Sequence, residues 1–144
     1  MFYFAEPLPS FWPKAIVSSN LCPKKAYYEM AKVNRPLVPL FQIQKGGRII
    51  EMWVANDLAR EFRNCKISWI MKSSGKELLA GSKIVDVPAS NAILADEVSL
   101  TAVPDETKMV NISLRLTDSA GKELSSYERK LWLELWRKEK LAGI

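Results

Sequence analysis

Val110, Ile112, Leu114 and Leu116 are apolar at every second position, with Asn111, Ser113, Arg115 and Thr117 between them. Successive side chains of a strand point to opposite faces, so this rhythm dictates one buried face and one wet face. Asp118-Ser119-Ala120-Gly121 follows. Asp bonds the backbone ahead of it and Gly accepts φ > 0, so this segment turns the chain. The return runs through Leu124, Tyr127, Leu131 and Leu133. Residues 109–133 are therefore predicted to form one β-hairpin. A lone hairpin is marginal in water, so the rest of the chain must supply further sheet to cover it.

That sheet is legible from Pro36 onward. Residues 37–43 read as a first strand, placed at a sheet edge by Pro39, which has no N–H to give a neighbour. Gly46-Gly47 turns into a second strand, 48–55, ended by Asn56-Asp57. In the third, Cys65, Ile67, Trp69 and Met71 alternate with Lys66, Ser68 and Lys72. Ser73-Ser74-Gly75 turns into a fourth strand, 77–87, and 93–100 gives a weaker fifth. With the hairpin this makes about seven strands and turn signals every 8–12 residues. The fold class expected is mainly β, an immunoglobulin-like antiparallel β-sandwich over 36–144; a closed barrel is the alternative. Trp69 falls on the strand where such sandwiches keep a core tryptophan.

Residues 1–35 have another texture. Phe2, Tyr3, Phe4, Phe11 and Trp12 crowd the start, with prolines at 7, 9 and 13 enforcing extended or turning backbone. So many aromatics call for cover, from downstream chain or from a partner. Residues 23–34 read as a helix with Pro23 at its first position. Ala26, Tyr27, Met30 and Ala31 share one face, Lys24, Lys25, Glu29 and Lys32 the other, and Pro36 stops it.

Composition removes whole classes of chemistry. The chain has no histidine, which excludes Ser-His-Asp and Cys-His nucleophiles and the commonest general base. Cys22 and Cys65 are the only cysteines, without CxxC spacing, and make no usual zinc site. They read as free and partly buried thiols, a disulfide between them remaining an alternative. No cofactor or metal is expected. The net charge of +5 comes from scattered basic residues with no run of five. Arg129, Lys130, Arg137, Lys138 and Lys140 gather near the end but read as a solvated terminus, so no nucleic-acid partner is expected. Met1 to Pro13 lacks a basic leader and no apolar run reaches 18 residues, so neither a signal peptide nor a membrane partner is expected. The compartment stays open.

Glu6 is the best single catalytic candidate, but no second carboxylate is tied to it by spacing. Asp96-Glu97 and Asp105-Glu106 are neighbours that a strand would point to opposite faces. No catalytic residue is assigned. Flat aromatic rings invite stacking by sugars, and Phe11, Trp12 and Trp132 are the carbohydrate-binding candidates, with Trp53 and Trp136 behind them. Trp132 lies between Leu131 and Leu133 and so faces the other side of its strand.

Five segments, in order, resemble the C-terminal part of family 2 glycoside hydrolases of the β-mannosidase type. Phe4-Ala5-Glu6-Pro7-Leu8-Pro9 is similar to the family's aromatic-Asn-Glu-Pro-x-Pro at the last strand of its (β/α)8 barrel. Pro23-Lys24-Lys25-Ala26-Tyr27-Tyr28 resembles the start of its last barrel helix, and Arg35-Pro36-Leu37-Val38 the passage into the following sandwich. Met52-Trp53-Val54-Ala55-Asn56-Asp57 resembles a strand ending in Val-x-Asn-Asp, and 114–125 the final hairpin with its Asp-x-x-Gly turn. The family pattern has Asn where Ala5 stands and a tryptophan near Phe2, at positions that face the sugar. The resemblance implies that 1–35 is a barrel remnant and 36–144 a non-catalytic accessory domain. It also implies that the two catalytic carboxylates lie on earlier barrel strands and that the partner is the parent enzyme's catalytic barrel. The alternatives are a free-standing carbohydrate-binding module, or a self-associating domain that forms a homo-oligomer through the stretch from Phe2 to Trp12.

Overall fold

The computed structural model describes residues 16–18, 22–44 and 48–133. The chain divides into two compact units, Met1–Arg35 and Pro36–Ile144.

In the first unit the helix α1 runs Lys25–Val33, shorter than the predicted 23–34. Pro23 is not its first residue. It forms an antiparallel bridge with Val17, and Lys24 after it is extended (φ −83°, ψ 166°) and donates its N–H to Ile16 O at 2.9 Å. That pairing holds the chain extended up to the cap and delays the helix by two residues. Tyr27, Tyr28 and Met30 are exposed, the two tyrosine rings meeting edge to face at 5.5 Å.

The second unit is a sandwich of two antiparallel sheets. Its strands are β1 (Leu37–Ile43), β2 (Ile49–Asn56), β3 (Phe62–Ser73), β4 (Lys76–Val87), β5 (Asn91–Ser99), β6 (Met109–Thr117) and β7 (Glu123–Trp132). One sheet has the order β1-β2-β5 and the other β4-β3-β6-β7. This decides against a closed barrel: among the described residues, no ladder joins one sheet to the other. β1 is an edge strand, as Pro39 requires.

The alternation written in the sequence is the core. Ile50, Met52 and Val54 face inward from β2; Cys65, Ile67, Trp69 and Met71 from β3; Val110, Ile112, Leu114 and Leu116 from β6. The return strand keeps a different phase. A register shift sets Leu116 opposite Ser125 and Thr117 opposite Glu123, so Leu124 is the extra residue of a bulge. Ser125 and Leu131 are buried, Tyr127 half-buried, and Leu124 still packs on the core. Cys65 is a buried free thiol whose pKa is pushed up by burial and then by Asp118 and Asp86. Cys22 is also free but exposed, not partly buried as expected: the short bridge of its own unit leaves it uncovered.

Hairpin chemistry sets two connections within the four-stranded sheet. Ser74 (φ 49°) and Gly75 (φ 81°) join β3 to β4 in a two-residue turn with both residues left-handed. Asp118 Oδ1 accepts the N–H groups of Ala120 and Lys122, each at 2.9 Å, and Gly121 takes φ 84°. Between the sheets the chain is tied by Asn56, 1% exposed. Its Nδ2 donates to Pro88 O (2.7 Å) and Arg60 O (2.9 Å), and its Oδ1 accepts the Leu58 N–H (3.1 Å).

Replacing Asn56 by Ala removes these three bonds at once. Urea unfolding of Asn56→Ala should show a loss of about 2–3 kcal/mol with an unchanged m-value. A second expectation concerns Gly81, which pairs with Trp69 on the inner face. A Cβ built there would stand 2.5 Å from Trp69 Cζ2. Gly81→Ala should lose about 1–3 kcal/mol, and Trp69→Leu in the same chain should recover part of that loss, since the clash goes with the ring.

Candidate functional site

Two carboxylates meet on the outer face of the three-stranded sheet. The β2–β5 register sets Glu51 directly opposite Glu97. Like charges in that position repel. Gln44 lies between them: its Nε2 donates to Glu51 Oε1 at 2.7 Å and to Glu97 Oε1 at 3.2 Å. The indole of Trp53, two residues along β2, donates Nε1–H to the other Glu51 oxygen at 2.9 Å. The hydrogen bond from Gln44, then that from Trp53, holds the Glu51 carboxyl below the usual carboxylate range, against a smaller opposing effect of burial.

Sequence reasoning did not find this group. The outward phase of Glu51 is readable from its apolar neighbours Ile50 and Met52. Its partner is not, because a bulge between Met52 and Trp53 sets which β5 residue lies opposite. Ordinary strand alternation divides Asp96 from Glu97, as expected for neighbours on a strand. Asp96 pairs with Lys83 of β4 at 3.6 Å, while Glu97 meets Gln44. Asp105 and Glu106 lie in the turn between β5 and β6.

Of the carbohydrate-binding candidates, Trp132 is the last residue of β7 and is 54% exposed. Trp53 is half-buried between Leu40 and Leu94 in the strand register, its N–H occupied by Glu51. Phe11, Trp12, Trp136 and Glu6 lie outside the described residues, as does the segment proposed for self-association. Arg129 and Lys130 point to opposite faces of β7. Trp69 Nε1 and Ser125 Oγ are buried without a hydrogen-bond partner. Among the described residues, no three His, Cys, Asp or Glu side chains are grouped to hold a metal, and no helix is long and apolar enough to cross a membrane.

The arrangement at Glu51 is built to keep a carboxylate ionised. Lowering of its folded-state pKa means that Glu51 contributes stability above the unfolded pKa, and that this contribution fades as pH falls through the folded value. Carboxyl-detected NMR titration should show Glu51 titrating below the usual glutamate range. In Gln44→Ala the Glu51 midpoint should move up, because its largest hydrogen bond is gone.

No protein-family model matches the chain, and no curated protein sequence matches it. Solved structures do. The exo-chitosanase CsxA of Amycolatopsis orientalis superposes with a TM-score of 0.61 at 22% identity, over 83% of this chain and 14% of that enzyme. The β-D-mannosidase of Dictyoglomus thermophilum superposes with a TM-score of 0.64 at 16% identity, over 91% of this chain and 15% of that enzyme. At these identities the likeness is one of fold: the chain resembles a domain of family 2 glycoside hydrolases. It spans about one-seventh of the length of the enzymes it matches.

Proposed function

We propose that this chain acts as the C-terminal accessory sandwich of a β-mannosidase-like glycoside hydrolase of family 2, taking no direct part in bond cleavage. The parent activity is hydrolysis of β-glycosidic bonds. The observation that carries the reading is the superposition on the β-D-mannosidase over 91% of this chain but 15% of that enzyme. The ordered motifs of the sequence point to the same end of the same kind of protein. On this reading residues 1–35 are the last strand, loop and helix of a (β/α)8 barrel. The partner of the sandwich is that barrel, whose edge it supports.

The chemistry of the described carboxylates agrees with this role. A retaining glycosidase needs two carboxyl groups about 5–5.5 Å apart, one of them protonated to act as acid, which calls for a raised pKa. Glu51 has a lowered one. Its bonds to Gln44 and Trp53 fix the carboxylate to the sheet rather than aim it at a substrate.

The isolated chain is expected not to hydrolyse aryl β-mannosides or aryl β-glucosaminides. Release of nitrophenol that survives stringent purification and disappears in Glu6→Gln would overturn the proposal.

A further inference from the structure

The outer face of the four-stranded sheet is mostly polar, and Trp132 stands out on it. In the β6–β7 register Trp132 lies directly opposite Met109. Both are exposed, Trp132 at 54% and Met109 at 37%. The next residues on the same face, two along each strand, form a row across three strands: Lys72, Asn111 and Lys130. A two-residue step is about 7 Å. One row further lie Ile70, Ser113 and Glu128. The Asn111 side-chain amide donates to the Glu128 carboxylate, which fixes both on the sheet surface.

This is too small an apolar area for a protein interface, whose centre is a contiguous desolvated patch. The polar row separates Trp132 and Met109 from Ile70, the next exposed apolar residue on that face. What fits is a ligand with one apolar face for the indole and a rim of hydroxyls for the amide, carboxylate and ammonium groups one row away. A pyranose ring has that form: its axial C–H bonds make an apolar face and its hydroxyls stand around the edge. The strands preorganise the site, since backbone ladders fix the spacing of ring and polar row. Trp53 lacks these features, because its ring is half-buried and its N–H is already bonded.

We propose that Trp132, with Met109, Asn111 and Lys130, forms a shallow platform that binds a pyranose unit of a soluble glycan. This builds on the accessory-domain reading, to which it adds a ligand. A glycan held there would raise the substrate concentration near a linked catalytic domain.

The test is an NMR titration of the full chain with β-1,4-mannohexaose. The Trp132 indole resonance, identified by its loss in Trp132→Phe, should shift saturably together with the amides of Asn111 and Lys130. Trp132→Ala should weaken the interaction at least tenfold while the rest of the spectrum stays in place; Asn111→Ala should weaken it severalfold. Ile84→Ser, at an exposed position in another row of the same face, should leave it unchanged. Absence of any saturable shift, or a shift that persists in Trp132→Ala, would overturn the platform. Either result leaves the accessory-domain reading standing, because that is judged by hydrolysis and not by binding.

Discussion

The sandwich depends on one buried amide. Hairpins join β1 to β2, β3 to β4 and β6 to β7, but the chain must also cross between sheets, from β2 to β3, from β4 to β5 and from β5 to β6. The first two of these crossings pass Asn56, whose side chain bonds the backbone at Leu58 and Arg60 on the first and at Pro88 on the second. Each such bond between side chain and backbone is worth about 0.5–1.5 kcal/mol, so three of them on one buried side chain hold both loops. One asparagine at the end of a core strand serves both. Asp57 beside it extends the arrangement, donating its N–H to Pro36 O at 2.7 Å where β1 begins. The Val-x-Asn-Asp sequence is therefore an architectural signal, and its function lies in placing the two sheets face to face.

The interior follows from that placement. Trp69 takes the space that Gly81 leaves open on the neighbouring strand, and the large ring against the missing side chain keeps β3 and β4 in register. The open side of the sandwich between β4 and β5 is bridged by Lys83 and Asp96 instead of a ladder. The polar groups so bound are used up structurally. The same holds for Glu51 and Glu97, whose apposition looks like a reactive pair until Gln44 and Trp53 are seen to occupy it.

Much of this was legible in the residues. Strand phase, the edge position of β1, the inward face of Trp69 and the Asp118 to Gly121 turn all rest on local chemistry. Local chemistry did not reveal the late start of α1, because the bridge between Val17 and Pro23 is a contact across the loop that joins them. Nor could the sequence place Glu97 opposite Glu51, or explain why Leu124 is out of step with Tyr127 and Leu131. Each depends on a bulge, and a bulge changes the pairing partner without altering the pattern of either strand. The outward phase of Trp132 was readable from its neighbours Leu131 and Leu133. The polar row beside it was not, because it is assembled from three strands.

Pro39 has a consequence beyond the fold of one molecule. A free sheet margin offers donors and acceptors to any extended segment that drifts alongside, which is how globular chains polymerise into fibrils. At the middle of β1 a ring stands where the next donor would be, so an incoming strand would lose a bond at its centre. One covalent ring thus removes a donor from that margin, where Leu37, Val38 and Pro39 are already buried.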